Sequence, residues 1–426
     1  MWWTPVDPRD EVRMLWQPSL HERYTLADSA DLARDIAARR KQLGDRLVIL
    51  GHHYQTDSVY RHADLTGDSL KLSQMAADVV REKPVEHIIF LGVHFMAETA
   101  DMLTPEHVTV TLPDLSAGCS MADMAQEDDC FEAWEAIHDT LDAQGFAGRV
   151  IPITYVNSSA AIKAFVGEHG GACCTSSNAD LVFEWAAAGG DIPKRDDEEI
   201  KILFLPDQHL GRNTAHRFGI DVSKHAALYN PKLVRKSQAL GGMTEAQLRD
   251  AQVILWAGHC SVHKLFRPEH IGEIRGLSDA SPEQRPWNVI VHPECAKEVV
   301  DLADDSGSTE YILKQIEDAE PGTRWAVGTE HNLVNRLRQR SAERGVEVRI
   351  LSDCQCLCTT MYRIDEPHLL WSLDMLCGIS PSGKPRAPEL PNVIRVAPRV
   401  REQSLLALER MLRLAPGATP AGAASR

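Results

Sequence analysis

No stretch of this 426-residue chain reaches eighteen consecutive apolar residues, so a membrane-spanning helix is excluded as its organising element. No run of Lys and Arg is long enough to track a phosphate backbone. With 45 Lys+Arg against 61 Asp+Glu the formal net charge is −16, which makes nucleic acid a poor partner. The opening stretch MWWTPVDPRDEVRMLW carries charges where a secretion signal needs its apolar core, so a cytoplasmic protein is expected. There is also no CxxC pair among the ten cysteines. A reducing compartment argues against a disulfide framework, and the missing pair argues against a common type of structural zinc site. The cysteines are then core residues, metal ligands or reactive thiols, and seven of the ten read as core.

What is present is ordinary for a globular protein: 43% hydrophobic and 25% charged residues, in a chain long enough for two or three domains. One short pattern recurs nine times, in which β-prone apolar residues lead into a polar cluster and then a helical-period segment. RLVILGHHYQTDSVY, KILFLPDQHLGRNTAHRF and VEVRILSDCQCLCTTMYRI are three instances. The apolar runs are short, continuous and β-branched, as strands covered on both faces by crossover helices should be. Leu72, Met75, Ala76, Val79 and Val80 keep helical spacing between two of them. The alternation predicts α/β architecture with parallel sheets. Nine units could form one barrel-like sheet or three sheets of three, and the cysteines favour the second: Cys119, Cys260 and Cys358 close the third, sixth and ninth units. Three similar α/β layers around one point are expected.

In open α/β sheets ligands bind beyond the carboxyl ends of the strands, which is where all nine polar clusters fall. Three thiolates from three layers could meet on one metal, and an iron–sulfur cluster with only three protein ligands leaves one iron open to substrate. In CQCLC, 354–358, the residues Cys354, Cys356 and Cys358 would share one face, and spacing does not choose among them. In GHHYQ, 51–55, His52 and Tyr54 would face the same side as a proton donor and acceptor pair, or cap the strand with satisfied hydrogen bonds. The turns GDSLKLS (67–73), YVNSSA (155–160), CTSSNA (174–179) and GSTE (307–310) offer free N–H groups suited to carboxylates or phosphate, or serve as plain N-caps. VHPEC, 291–295, adds His292 and Glu294, with Cys295 pointing away.

Together, HHYQ, DSLKLS, GVHFMAETA, PDLSAGCSMAD, YVNSSAAIKA, CTSSNA, LPDQHLGRN, GHCSVH, HPEC, GST and CLCTTMYRI resemble the quinolinate synthase family, iron–sulfur enzymes of NAD biosynthesis. They run in the family's order over roughly residues 28–410. The resemblance implies three pseudo-symmetric, three-layer α/β domains with short parallel sheets around a central active site. Their expected limits are 28–130 (completed by 375–412), 131–264 and 265–374, with a leader at 1–27, a tail at 413–426 and a charged surface insertion at 188–200. It also implies a [4Fe–4S] cluster with three cysteine ligands, Cys119, Cys260 and Cys358, and one open iron acting as a Lewis acid. The substrates implied are iminoaspartate and dihydroxyacetone phosphate, joined with loss of phosphate and two waters, with a functional link to an aspartate oxidase or dehydrogenase. By the same resemblance His52 and Tyr54 handle protons and Glu294 is the general base. Tyr155 and Asn157 hold the substrate backbone, Ser69, Ser176, His292 and Thr309 contact its anionic groups, and His263 lies close to the cluster. Additional residues in VGEHGGACC and GGDIPKRDDEEI depart from the family pattern. The other readings are a zinc-dependent aldolase or hydrolase using the same side chains, and a non-enzymatic iron–sulfur sensor.

Overall fold

The protein is described from a computed structural model covering residues 17–280, 283–353 and 356–415. The nine expected strands all form: β1 Leu47–His52, β3 His87–Leu91, β4 Thr109–Thr111, β5 Gly148–Tyr155, β7 Glu199–Leu205, β9 Val253–Trp256, β10 Trp287–Val291, β12 Arg324–Gly328 and β13 Glu347–Ile350. Five short strands join them: β2 Leu65–Gly67, β6 Ala172–Cys174, β8 Ala226–Tyr229, β11 Asp305–Ser306 and β14 Val393–Ile394. The outcome is sheets of five, five and four strands rather than three sheets of three. β1 and β9 are buried at every residue and β5 and β7 along most of their length, as double-sided helix cover requires, while the edge strand β13 has only Val348 buried.

Each sheet repeats one order. The first reads β2-β1-β3-β4-β14, the second β6-β5-β7-β9-β8 and the third β11-β10-β12-β13. In every lobe the chain leaves its first long strand, adds a short strand on one side, then crosses back to build the sheet on the other. All pairings are parallel except β14 on β4. Reversing direction beside the first strand leaves a crevice at its carboxyl end, the usual ligand position in such sheets. Helices close the faces. In Ser69–Glu82 the Asp68 side chain caps the start, accepting from Lys71 N–H at 2.9 Å, and Leu70, Leu72, Ala76 and Val79 turn inward. Tyr54, Cys260 and Cys358 pack at the margins of the separate cores, so the three lobes meet around them.

Several expected boundaries shift. Residues 1–16 of the leader and 416–426 of the tail lie outside the described residues. Within the leader, Glu22–Thr25 is a helical turn whose Tyr24 is buried and donates to Asp374 at 3.1 Å. Asp374 also receives Arg39 at 2.6 Å, so the helix Glu366–Cys377 belongs against the first lobe's helix Ser29–Leu43 rather than the third lobe. Near the C-terminus, β14 completes the first sheet, but the helix Pro398–Arg413 lies on the second lobe. Ser404 donates to the Ala160 carbonyl at 2.8 Å, and Gly167 of the helix Ala160–Glu168 sits so close that a Cβ there would come within 2.0 Å of the Gln403 carbonyl oxygen. Ala is the better helix former by about 0.5–1 kcal/mol, yet a clash with backbone outweighs that. Gly167→Ala should destabilise by about 1–3 kcal/mol, read as a lowered guanidinium midpoint.

Candidate active site

The three crevices open into one cavity, lined by residues of all three lobes. Each lobe contributes the same three stations. At or just past the ends of the first strands stand His52 and Tyr54, Tyr155 and Asn157, and His292 and Glu294. Beyond the short strands β2, β6 and β11 stand Ser69, Ser176 and Thr309. Beyond β4, β9 and β13 stand Cys119, Cys260 and Cys358. All twelve line the cavity. Of the expected site residues only His263 does not line it. Its buried ring sits behind Glu294, stacked on His292 with centroids 4.5 Å apart.

The cysteine loops share one backbone. The carbonyls of Cys119, Cys260 and Cys358 accept from the N–H groups of Asp123, Lys264 and Tyr362 at 3.1, 3.1 and 3.0 Å. A single 3₁₀ turn follows each at the third residue: Ala122–Met124, His263–Leu265 and Met361–Arg363. The turns aim N–H groups at the sulfurs, from Met121 and Ala122 to Cys119, from His263 to Cys260, and from Thr360 and Met361 to Cys358. The Thr360 hydroxyl adds a contact to Cys358 Sγ at 3.4 Å. Burial pushes the Cys119 thiol up to about 12 and raises the other two. Three thiols, one per lobe, each with amide donors and all facing one cavity walled by Val93, Phe95, Met96, Met121, Val262 and Met361, suit a cluster held by three thiolates, whose sulfurs accept such hydrogen bonds. Cys356 is buried outside the cavity lining, its thiol 3.5 Å from the Ser352 hydroxyl. Cys354 lies outside the described residues.

A hydrogen-bonded chain runs behind the cavity wall. The Tyr54 hydroxyl meets Thr309 Oγ1 at 3.1 Å and Thr329 Oγ1 at 3.0 Å. Thr329 Oγ1 lies 3.2 Å from His263 Nε2, and His263 Nδ1 lies 2.8 Å from Glu294 Oε2. The Tyr155 hydroxyl donates to Glu294 Oε1 at 2.6 Å. Burial alone would raise the Glu294 carboxyl, but the imidazoles of His263 and His292, with hydrogen bonds from His263 and Tyr155, hold it well below the ordinary carboxylate range. Burial, then the Glu294 charge, keeps Tyr54 and Tyr155 as phenols.

His52 and His292 are matched. Each ring accepts, at Nδ1, the backbone N–H two residues on, Tyr54 at 3.1 Å and Glu294 at 3.3 Å. Burial pushes both down to about 3, so they are neutral with the proton on Nε2. With Nδ1 occupied, the His52 ring has its Nε2–H left to offer. The Asn157 Oδ1 atom is buried without a partner among the described residues, as a group awaiting a ligand would be. Of the four hydroxyl turns, Ser158 and Ser159 serve backbone: Ser158 donates to the Tyr155 carbonyl, and Ser159 caps the next helix.

Thr329 and Glu330 escaped the sequence reading. Burial raises the Glu330 carboxyl to about 8, while it accepts N–H groups of Leu333, Asn332 and Cys358. The residues Cys260, His263 and Glu294 bring their ligand atoms within 4.8 Å of one another, an alternative seat for one metal ion. Both nitrogens of His263 already have partners, however, which leaves no free lone pair there.

Three similar lobes that converge on cysteines, phenols, imidazoles and the carboxylates of Asp68 and Glu294 define an α/β enzyme with its candidate site between them. The chain belongs to the NadA family, quinolinate synthetase A protein, whose model matches residues 34–413. A protein named quinolinate synthase from Herpetosiphon aurantiacus is 48% identical over 400 residues, 93% of this chain and 96% of its own. Proteins of the same name from Streptomyces coelicolor and Bacillus subtilis are 47% identical over 386 residues (90% of this chain, 88% of its own) and 46% identical over 391 (92% and 95%). No helix among the described residues is long and apolar enough to cross a membrane.

Proposed function

We propose that the chain is a quinolinate synthase that joins iminoaspartate to dihydroxyacetone phosphate, with loss of phosphate and two waters. In this reading Cys119, Cys260 and Cys358, one from each lobe, hold a [4Fe–4S] cluster. The observation that carries it is the threefold repeat of a cysteine loop with sulfur-directed amides, facing the same cavity as Glu294 and the two tyrosines. When bound, a cluster with three protein ligands supplies one iron with an open position as a Lewis acid.

The protein's own groups divide the remaining work. Ser69 and Thr309 occupy the first positions of the helices Ser69–Glu82 and Thr309–Glu317, where free N–H groups and the helix dipole favour phosphate or carboxylate. Ser176 joins them through His292 Nε2 at 3.2 Å. His52, neutral, presents Nε2–H to a carbonyl or hydroxyl oxygen and can polarise it without a charge of its own. Glu294, ionised, is the base, and Asn157 offers its amide to the substrate. Tyr54 and Tyr155 carry protons at their hydroxyl oxygens. The buried walls exclude water from an imine that hydrolyses readily. Free thiols and a cluster suit a reducing cytoplasm, with iminoaspartate delivered by an enzyme that oxidises aspartate.

Anaerobic purification followed by metal and sulfide analysis, with a quinolinate assay on the same sample, tests this. Roughly four iron and four sulfide per chain and quinolinate from fresh iminoaspartate are expected. Stoichiometric zinc with activity retained in air would instead support a zinc enzyme using Cys260, His263 and Glu294, whose ligand atoms lie close together among the described residues.

A further inference from the structure

The helix after the second long strand of each lobe bonds the loop after the first strand of the next lobe. In the second lobe this helix is Gln208–Arg217. Its buried Asn213 directs both amide hydrogens into the third lobe, Nδ2 donating to the Pro293 carbonyl at 2.8 Å and to the Cys295 carbonyl at 2.9 Å. Those two carbonyls flank Glu294. In the third lobe the helix is His331–Ala342, and its buried Arg336 treats the first lobe in the same way. Nη2 donates to the carbonyls of His53 and Gln55, which flank Tyr54, and Nη1 adds a contact to Gln55 at 3.4 Å. Asn332 Nδ2 donates to the Tyr54 carbonyl itself at 3.2 Å. An ion pair with Asp57 and a seat 3.9 Å from the Tyr60 ring centroid hold the guanidinium in place. In the first lobe the helix is His94–Leu103, and its Glu98 accepts the Ala160 N–H at 3.0 Å, where the loop carrying Asn157 enters its helix.

We propose that Asn213 and Arg336 are positioning residues for Glu294 and Tyr54, so that each proton-handling group is aimed by a lobe other than its own. Neither side chain lines the cavity, and each acts through the residue it straddles. One planar group bonded to the carbonyls on both sides of a residue fixes the two peptide planes that set the direction of its side chain. The side-chain partners come from the same lobe as the brace. Glu294 accepts from Tyr155 of the second lobe at 2.6 Å, the lobe that supplies Asn213. The Tyr54 hydroxyl meets Thr309 and Thr329 of the third lobe at 3.1 and 3.0 Å, the lobe that supplies Arg336. Each reacting group is thereby held in register with the lobe it faces, and a small shift between lobes carries the group along with its partners. That matters because a misplacement of about 1 Å at a reacting group can cost about 100-fold in rate. The proposal rests on the assignment of Tyr54 and Glu294 to proton transfer made above.

Asn213→Ala, made alone and together with Glu294→Gln, tests the first brace in the anaerobically reconstituted enzyme. Alone it should lower kcat about 10- to 100-fold with iron content unchanged. Added to Glu294→Gln, where the positioned base is already gone, it should cost less than about threefold, because residues that act as a unit do not add. Arg336→Lys keeps a charge opposite Asp57 but not the planar fork, and should behave in the same way against Tyr54→Phe. Equal losses in both backgrounds, or unchanged turnover in the two single variants, would overturn the proposal. A second readout needs no turnover. In the iron-free protein, backbone amide exchange should quicken about tenfold or more at Glu294 and Cys295 in Asn213→Ala, and at Tyr54 and Gln55 in Arg336→Lys. Gly167→Ala, a packing change away from the site, should quicken neither loop. Exchange that rises only within the helix carrying the substitution would refute the brace. Should Asn213→Ala not fold, Asn213→Ser, which keeps one donor, carries the same two measurements. A wild-type protein that makes no quinolinate would defeat the proposed reaction, while the exchange comparison would still report on Asn213 and Arg336.

Discussion

Cys119→Ala, Cys260→Ala and Cys358→Ala are each expected to leave the protein without a [4Fe–4S] cluster and without quinolinate formation, whereas Cys356→Ala should keep both. The choice of Cys358 rests on backbone rather than on spacing. Cys358 starts the same turn as Cys119 and Cys260, its carbonyl bonded to the N–H four residues on and a 3₁₀ turn beginning three residues on. Cys356 is buried in the third-lobe core with its thiol toward Ser352. Each Ala variant removes one of three anchors, and a cluster held by two thiolates has lost a third of its protein bonds. The folded apo protein should survive. The three thiols are neutral when buried, as their raised values require, so losing one removes no buried charge. By the same logic, cluster assembly must release the thiol protons, and reconstitution in weakly buffered solution should acidify it. Iron and sulfide analysis of the four variants decides the matter. A full complement of iron in Cys358→Ala together with none in Cys356→Ala would reverse the assignment.

The long strands were legible because they are buried on both faces, and continuous β-branched runs have few other uses. The five short strands were not. Asp305–Ser306 has no apolar residue, and its pairing with Ile290 and Val291 follows only from the crossover that brings it there. The helix Pro398–Arg413 is amphipathic in sequence, but periodicity says that a face is buried and not against what, so its seat on Gly167 could not be foreseen. In the site, CSMADM, CSVHKL and CTTMYR share a cysteine followed by a hydroxyl residue and a helical turn, a signal present in the sequence that singles out Cys358 within CQCLC. Thr329 offered no such signal. It sits in RWAVGTEH, at a strand end, yet its hydroxyl meets Tyr54 and His263 behind the wall, and contacts between residues 54, 263 and 329 are set by tertiary structure alone.

Glu294→Gln should lower turnover by about 100- to 10,000-fold, the usual range for loss of a general base, while leaving iron content unchanged. The substitution keeps the shape but not the acceptors. Glu294 receives Tyr155 O–H at 2.6 Å on one oxygen and His263 Nδ1 at 2.8 Å on the other. A Gln can accept on only one side, so its amide must face a donor or force His263 into the other tautomer. The first sets the amide against the Tyr155 hydroxyl, and the second turns His263 Nε2 into a donor toward Thr329. Hydrogen bonds to a charged group are worth about 1.5–3 kcal/mol each, so a modest loss of stability accompanies the loss of rate. The pH behaviour separates the two. The Glu294 carboxyl lies below its ordinary value in the folded protein. The stability gained from its charge is therefore fully present above the unfolded value of about 4.3 and is lost only as pH falls toward the lower folded value. Between pH 5 and 8 Glu294 stays ionised in the free enzyme, and an acid limb of kcat/KM in that interval must come from another group or from the substrate. Glu294→Gln should accordingly lower the whole kcat/KM profile without moving its acid limb. A variant that kept a tenth or more of wild-type turnover, or one whose acid limb disappeared, would show that Glu294 is not the ionised base of the reaction.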